Sequence, residues 1–477
     1  MNATEELLSA TIGQDLSDDG TVFGRYMGRL RDVFAELPNP RTGKNKQFSM
    51  LELAGAAFGV FFTQCPSFLA YQRTMEDARG QSNARSVFGL ERIATDNCIR
   101  TTLDAVPPSA LHPAFDALRG EFRAGGGEAP CHGVGGLRIV ALDGTQHHSS
   151  EKIHCFNCTH CTHKLSNGGE RVTYSHGSVT PVLVNRRAKT VFPLAPEFIV
   201  PQDGHEKQDC ELAASGRWLE RSADFLAEEP TVLLGDDLYA HTPFCRKVSA
   251  AKAHFLFTCK RPSHKALYEY VDDFGPDSPL MGRVVGFGDD GRGHQVVWTV
   301  RYANDVPLTD EDKALRVGWL ELTETDRRGR QTYQCAWITD LPIDDGNALE
   351  MAATARARWG IENGNNNILK TKGYHFEHNF GHGKAHLSNL LAAMNILAFG
   401  FHELLRREDE RCRMVRAKLG RRDTFFQDIA ALMRYGLFAS WSALMDFMMR
   451  GLEIGPYEPP QKLKTPRRIR AEARKKR

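Results

Sequence analysis

Residues 137–143 read LRIVALD, an apolar run that ends on the acidic residue Asp143. A short aliphatic run of this kind is typical of a strand that is buried on both faces. A second such run, TVLLGD at residues 231–236, ends on Asp236. Carboxylates at the ends of two buried strands can face the same cleft, so Asp143 and Asp236 are candidate partners in one site.

A third acid, Glu362, lies in a predicted helix directly after the sequence RWGI at residues 358–361. Three carboxylates in one cleft repel each other unless cations neutralise them, and Mg²⁺ prefers hard oxygen ligands of this type. Two Mg²⁺ ions roughly 4 Å apart can activate a nucleophile and stabilise the leaving oxygen in phosphodiester cleavage. The alternative is that Asp143 and Asp236 only begin turns, and Asp237 competes with Asp236 for the same role.

The order of predicted elements after the glycine-rich linker at residues 125–130 indicates an α/β protein. Apolar runs and amphipathic periodicity predict three strands, a helix, a strand, a helix and a strand. The predicted strands lie at residues 137–142, 174–184, 190–200, 231–234 and 254–259, and the predicted helices at 210–226 and 242–252. This order matches the RNase H-like fold, a mixed sheet with flanking helices. In that fold Asp143 and Asp236 would lie on central neighbouring strands.

The rest of the chain predicts a helical N-terminal domain and a β-rich insertion. The sequence SMLE at residues 49–52 is a capping-box pattern that begins a helix. Alternating segments separated by hairpin turns predict strands within residues 261–345. The predicted divisions are 1–130 (helical, binding DNA ends), 131–260 (first part of the RNase H-like core), 261–345 (insertion), 346–405 (second part of the core, with Glu362), 406–460 (C-terminal helices) and 461–477 (basic tail).

Residues 137–402 resemble the DDE transposases of bacterial insertion sequences, in the branch that has a β-rich insertion before the catalytic Glu. In that family the first Asp lies on a strand in a motif like the DGT found here at residues 143–145. The second Asp follows a strand and precedes a Tyr by three residues, a spacing that Asp236 and Tyr239 reproduce. The resemblance implies that Asp143, Asp236 and Glu362 are catalytic and bind Mg²⁺.

The third motif of the family is Tyr, two residues, Arg, three residues, Glu, six residues and Lys. Arg358 and Glu362 match its spacing, whereas Ala355 occupies the Tyr position and Lys370 falls one residue late, after Leu369. On a helix, Arg358 lies one turn before Glu362, where its guanidinium can bind a DNA phosphate bidentately. We therefore predict that Arg358 and Lys370 bind DNA phosphate; an ordinary Arg–Glu pair within the helix is the alternative.

A possible zinc site lies between the first and second predicted strands, where residues 154–163 read HCFNCTHCTH. The predicted ligands are Cys155, Cys158, Cys161 and His163, which could form a tetrahedral shell. Ligands from elsewhere, such as His148 or Cys210, could complete the shell instead. Free reduced thiols and redox-active thiols are the alternatives.

The bulk composition indicates a globular protein of about three domains, with 477 residues, 41% hydrophobic and 25% charged. The absence of a signal-peptide pattern or a membrane-length apolar run predicts a cytoplasmic protein, and the 11 cysteines are then expected to be reduced. Residues 461–477 contain nine Lys or Arg and one Glu, so the tail contributes +8 to a net charge of +2. Such a tail can contact the DNA backbone, or it can simply improve solubility.

These features together predict a DNA transposase that cuts at transposon ends and transfers the strands to target DNA. The resemblance also implies that two copies act together on paired ends. One alternative is an RNase H-like nuclease that lacks strand transfer. The other is a zinc-stabilised DNA-binding protein that has lost catalysis.

Overall fold

The computed structural model describes residues 21–44, 46–76, 83–184, 191–201, 209–274, 278–289 and 294–455. The predicted basic tail at residues 461–477 lies outside these described residues, as does the start of the predicted N-terminal domain. Among the helices of the described ranges, none combines the length and the apolar character that crossing a membrane requires.

The chain is a mixed α/β protein whose largest element is a nine-stranded sheet. The strands in chain order are β1 (Arg138–Ala141), β2 (Gly144–Ser150), β3 (Thr159–Lys164), β4 (Glu170–Val179), β5 (Val182–Val184), β6 (Val191–Pro193), β7 (Glu197–Ile199), β8 (Thr231–Gly235), β9 (His254–Thr258), β10 (Gly282–Asp289), β11 (Gln295–Pro307), β12 (Arg316–Thr325) and β13 (Gln331–Thr339). The strand order in this sheet is β10-β11-β12-β13-β9-β8-β1-β5-β6.

The centre of the large sheet combines parallel and antiparallel pairs. Strand β1 pairs in parallel with β8, and β8 pairs in parallel with β9. On its other side β1 pairs antiparallel with β5, and β5 pairs antiparallel with β6. All four residues of β1 and all five of β8 are buried, which explains why both strands are apolar after their first residues, Arg138 and Thr231.

The predictions of the second and third strands are wrong in one respect. Each predicted strand corresponds to two shorter strands, and these belong to different sheets. Strand β4 pairs with β2, β3 and β7 in a smaller sheet, whereas β5 and β6 belong to the large sheet. Pro181 lies between β4 and β5 and has no N–H to donate to a ladder, so the chain leaves one sheet there. Pro196 likewise lies between β6 and β7.

Residues 261–345 are rich in β structure, as predicted, and they also contain a helix. The four strands from β10 to β13 form consecutive antiparallel pairs. Strand β13 then pairs antiparallel with β9, so these four strands extend the large sheet.

In the described residues, helices precede the first strand, follow the last strand and connect several of the strands. They are α1 (Val22–Ala35), α2 (Met50–Phe62), α3 (Phe68–Glu76), α4 (Asn83–Phe88), α5 (Asp96–Leu103), α6 (His112–Ala124), α7 (Glu211–Arg221), α8 (Ala223–Glu228), α9 (Thr242–Ala250), α10 (Lys265–Asp272), α11 (Ala348–Ala355), α12 (Asn367–Thr371), α13 (Leu387–Glu408), α14 (Glu410–Leu419), α15 (Arg422–Tyr435) and α16 (Trp441–Gly451). The capping box that begins α2 is confirmed, since Ser49 and Glu52 each bond to the backbone N–H of the other.

Helix α13 connects the N-terminal helices to the sheet. Eighteen of its 22 residues are buried. Phe401 packs edge-on against Tyr26 and Phe62, and Phe62 also contacts Trp441. On another side α13 lies against β6, where Gly400 leaves room for Pro193. The N-terminal helices therefore share one aromatic core with the C-terminal helices.

Candidate functional site

The two predicted aspartates lie at the same edge of the large sheet. Because β1 and β8 are parallel and Ala141 pairs with Leu234, the residues that follow each strand leave the sheet side by side. Asp143 and Asp236 are these residues, and both are half-buried. The Asp236 carboxylate accepts the Leu238 N–H at 2.9 Å, so it also begins the turn that the alternative interpretation predicts.

Asp237, the rival of Asp236, has a different set of contacts. Its carboxylate accepts the Lys260 N–H at 2.6 Å and the Ser263 hydroxyl at 2.5 Å. The His264 ring nitrogen lies 3.3 Å from the same carboxylate. Asp237 therefore holds the loop that follows β9, which favours Asp236 as the member of the acidic cleft.

Glu362 lies on an irregular helical segment that is held against the sheet. After α11 the chain forms a short 3₁₀ turn at Arg356–Arg358 and then a π-helical turn at Ile361–Asn366. Widened turns of this kind are rare and occur often at functional sites. Arg356 anchors the segment, because its guanidinium pairs with Glu324 of β12 at 2.6 Å.

Two glycines let this segment approach the edge strands closely. A Cβ added at Gly364 would lie 2.9 Å from a methyl carbon of Val191, and one at Gly360 would lie 3.3 Å from Val184. A larger residue at Gly364 would push the turn away from β6. Glu362 is between these glycines, so its distance from the sheet edge depends on them.

One side-chain contact connects the helical segment to the carboxylate of Asp143, and another joins Arg358 and Glu362 within the segment. The Arg358 guanidinium lies 2.7 Å from Glu362, as expected for residues one turn apart. Asn366 donates its amide N–H to the Asp143 carboxylate at 2.6 Å and accepts from the Asn365 amide at 2.8 Å. Asn366 thus joins the helical segment that carries Glu362 to Asp143 at the sheet edge.

A fourth carboxylate, Glu211 at the start of α7, belongs to this site, and the sequence analysis did not identify it. One of its oxygens accepts the Gly144 N–H at 2.9 Å and the Tyr239 hydroxyl at 2.7 Å. A Cβ at Gly144 would lie 2.2 Å from the other oxygen, which explains the glycine after Asp143. An acid in the first turn of a helix is common for its interaction with the helix dipole, so the sequence carried no distinguishing signal for Glu211.

The electrostatics of the site show that its carboxylates interact. Burial, together with the negative charges of Glu211, Glu362 and Asp236, raises the pKa of Asp143 to about 7, and Arg358 partly opposes this rise. Burial, together with the charge of Asp236, also raises the pKa of Glu211. A site with these raised pKa values favours a bound cation, since a cation stabilises the ionised carboxylates.

We expect metal-free protein to lose stability as the pH rises from about 4 to about 7. The unfolded chain releases the Asp143 proton near the ordinary pKa of 3.8, whereas the folded chain holds it up to about 7. The folded state therefore binds more protons in this interval, and its stability falls as the pH rises. Thermal unfolding without divalent cations, measured between about pH 4 and about pH 8, tests this expectation.

The matched variants for this pH test are Asp143→Asn and Asp237→Asn. The first removes the titrating group, so the decline in stability should become shallower. The second changes a neighbouring carboxylate that serves the β9 loop, and the decline should persist. An unchanged pH profile in Asp143→Asn would show that Asp143 is ionised at ordinary pH in the folded protein.

Lys370, the second predicted phosphate-binding residue, pairs with Glu377 at 2.8 Å. Its side chain is about one-third exposed, so a phosphate could still reach it. Arg358 acts electrostatically on Asp143, whereas Lys370 is not among the main influences on that carboxylate. The structure thus couples Arg358 more closely than Lys370 to the acidic residues.

A separate cluster of thiols and imidazoles lies beside the smaller sheet. The donor atoms of Cys155, Cys158, His176 and His382 all lie within 4.8 Å of one another, and such a group could hold a metal ion. Hydrogen bonding with Cys158 and with both imidazoles lowers the pKa of the Cys155 thiol. A thiolate is the form of cysteine that binds metals.

This cluster corrects the predicted ligand set at two positions. Cys161 and His163 are exposed on β3 and do not belong to the cluster. His176 of β4 and His382, which precedes α13, occupy the other two ligand positions. His148, one of the alternative ligands, contacts His382 with ring centroids 4.3 Å apart and tilted planes but is outside the cluster. Cys210, the other alternative, directly precedes α7 and is also outside the cluster. The only sequence signal for His176 was its place on the predicted strand that follows the Cys loop. No sequence signal indicated His382.

Comparison with known proteins does not assign a family or a function to this chain. No protein-family model matches the chain, and no curated protein matches it.

Proposed function

We propose that this chain is a DNA transposase of the DDE type, which cuts DNA at transposon ends and joins the ends to target DNA. The observation that carries the proposal is the placement of Asp143 and Asp236 after neighbouring parallel strands, with Glu362 electrostatically coupled to Asp143. The similarity of the DGT, Asp236-to-Tyr239 and Arg358-to-Glu362 spacings to the motifs of that family supports it independently.

The strand arrangement supports an RNase H-like core for this transposase. Three strands, β1, β5 and β6, follow one another as antiparallel neighbours, and β8 and β9 then add in parallel on the other side of β1. Helices α7 and α8 come before β8, and α9 comes before β9. In this proposal β10–β13 are the β-rich insertion that precedes the catalytic Glu.

The two groups of candidate ligands in the chain differ in chemical preference. The acidic cluster offers only hard oxygen donors and is suited to Mg²⁺, whereas the thiol and imidazole cluster is suited to Zn²⁺. In our proposal Asp143, Asp236 and Glu362 hold two Mg²⁺ ions, which would activate the attacking oxygen and stabilise the leaving oxygen. The raised pKa of Asp143 fits this role, since a cation would favour its ionised form.

The other residues of the cleft orient the carboxylates and the DNA. Asn366 fixes one oxygen of Asp143, and Glu211 fixes the backbone directly after it. Arg358 has five N–H donors, so its guanidinium can keep its pairing with Glu362 and still contact a phosphate. Lys370 is proposed as a second phosphate contact at the far end of the segment.

In the first proposed step, a water oxygen bonds to phosphorus while the bond to the 3′ oxygen breaks, which leaves a 3′-hydroxyl and a 5′-phosphate. In the second step, the freed 3′-hydroxyl attacks a target phosphodiester and displaces the target's 3′ oxygen. The two steps exchange one P–O bond for another and need no oxidant or reductant. We expect two copies of the chain to hold a pair of ends.

The direct test incubates the full chain with DNA that carries the inverted repeats flanking its coding sequence. We expect Mg²⁺-dependent cuts at the repeat ends and, with pre-cut 3′-hydroxyl ends, joining to a plasmid target. Cuts without joining would identify a nuclease that lacks strand transfer. Binding to the ends without cuts in Mg²⁺ or Mn²⁺ would identify a DNA-binding protein without catalysis, and either result would overturn the proposal.

A further inference from the structure

The Cys/His cluster consists of residues from three separate parts of the chain. Cys155 and Cys158 lie in the loop between β2 and β3, His176 lies on β4, and His382 precedes α13. Cys158, His176 and His382 are each less than 10% exposed. These four donors form a mostly buried site. The local sequence pattern around Cys155 indicated only two of them, Cys155 and Cys158.

The spacing of the donor atoms has the size of a zinc shell. The two sulfurs are 4.0 Å apart, and each lies 3.3 Å from the ring nitrogen Nε2 of His176. The Nε2 atom of His382 lies 3.4 Å from the Cys158 sulfur. With ordinary Zn–S and Zn–N bond lengths, a tetrahedral zinc ion places its sulfurs about 3.8 Å apart and sulfur and nitrogen about 3.5 Å apart.

We propose that Cys155, Cys158, His176 and His382 bind one structural Zn²⁺ ion. Two thiolates and two imidazoles form a closed Cys₂His₂ set, which zinc binds in structural sites without leaving an open position. Such an ion joins the β2–β3 loop to the segment at residues 373–386, which connects the helix after Glu362 to α13. The ion is therefore a tether between two parts of the chain, and it takes no part in DNA chemistry.

The segment at residues 373–386 has no regular secondary structure of its own, so its position depends on contacts with other parts of the chain. Asn157, which lies between the two cysteines, donates to the Ala385 carbonyl at 2.6 Å, so the Cys loop already contacts the segment. The Asp104 carboxylate accepts backbone N–H groups from Lys384 and Leu387 at 2.8 and 3.0 Å. A metal bond through His382 adds a third attachment near these two.

The tether also connects the two halves of the proposed acidic site. Strand β2 begins directly after Asp143 and pairs with β4, the strand that carries His176. His382 lies on the chain that continues from the helical segment of Glu362. Zinc would thus fix the position of the chain that follows Asp143 relative to the chain that follows Glu362. Only this consequence rests on the proposed function.

The test measures zinc in the full chain, purified without chelators and without DNA. We expect about one zinc ion per chain in the wild type and a loss of most of it in Cys158→Ser and His382→Ala. The matched controls are Cys161→Ser and His163→Ala, which change exposed residues of the same segment and should keep their zinc. Zinc that survives in the first pair and disappears from the second would overturn the ligand assignment.

Two further readouts keep the test independent of whether the variants fold. Co²⁺ exchanged into the wild-type protein should show the strong visible bands of a tetrahedral ion and a thiolate charge-transfer band. Removal of zinc should speed hydrogen exchange at residues 373–386 on the order of tenfold and leave β8 unchanged. A wild-type protein without zinc and without these bands would end the proposal, whereas failure to cut DNA would bear only on the proposed transposase function.

Discussion

Replacement of Asp143 by Asn is expected to abolish Mg²⁺-dependent cleavage of transposon-end DNA, and Asp236→Asn and Glu362→Gln should do the same. Each change removes one negative charge, a metal ligand in the proposed function, and preserves the size of the side chain. Metal activation contributes several kcal/mol to transition-state stabilisation, so each loss should reduce the rate on the order of a thousandfold or more. Cleavage assays with end DNA, and gel-shift assays for end binding, measure the effect.

Asp237→Asn is the matched control for the cleavage prediction. It changes the adjacent carboxylate, which holds Lys260, Ser263 and His264, so its effect on cleavage should be much smaller than that of Asp236→Asn. Binding of end DNA should survive in all four variants, since each replacement preserves the size of the side chain. Near-normal cutting by any variant of the three acids would remove that residue from the triad. A larger loss of cleavage in Asp237→Asn than in Asp236→Asn would assign the catalytic role to Asp237.

The second large effect is expected on stability, at a buried ion pair between α13 and α15. Glu403 is 3% exposed and pairs with Arg422 at 2.5 Å and with Arg406 at 2.9 Å. Arg422→Met would leave this carboxylate buried and paired with Arg406. Loss of one partner from a buried pair costs about 3–5 kcal/mol, and the lower part of this range applies because Arg406 still pairs.

Urea unfolding at neutral pH measures this loss, with Arg421→Met as its control. Arg421 precedes Arg422 but is 78% exposed and lies 3.4 Å from Asp423, so its replacement should change the free energy of unfolding by less than about 1 kcal/mol. Equal losses in the two variants would show that Glu403 does not depend on Arg422.

The ion pair also predicts how the difference between Arg422→Met and the wild type varies with pH. Burial alone would raise the pKa of Glu403, but Arg422, Arg406 and Arg416 together hold it below the ordinary value of 4.5. A lowered carboxyl pKa contributes stability above the unfolded-state pKa, and this stability is lost as the pH falls through the folded-state pKa. The deficit of Arg422→Met should therefore shrink as the pH falls below the ordinary carboxyl pKa of 4.5.

Local patterns in the sequence were sufficient to predict the buried strands β1, β8 and β9 and the capping box of α2. These elements depend on side chains that are close in sequence: a continuous apolar run for a strand, and a Ser–Glu exchange for a helix start. The same reasoning selected Asp143 and Asp236, because each directly follows such a run. Cys155 and Cys158 were also found locally, since only two residues separate them in one loop.

Other features depended on which segments meet in space, and no local pattern specifies that. The stretch at residues 174–184 reads as one apolar strand, yet its two halves pair with different partners in different sheets. Glu211 joins the acidic cleft because α7 begins beside Gly144, and its position in the first turn looks ordinary in the sequence. The π-helical turn at Ile361–Asn366 likewise follows from its packing against β5 and β6.

The sequence by itself therefore determined the chemical types at the two sites, which are carboxylates after buried strands in one and closely spaced cysteines in the other. The tertiary structure decided which residues complete them. It brought His176 and His382 to the cysteines and left Cys161 and His163 exposed on β3. The physical reason is that a metal shell selects atoms by distance and direction, and residues more than 200 positions apart, such as Cys155 and His382, become neighbours only when the sheets and helices pack.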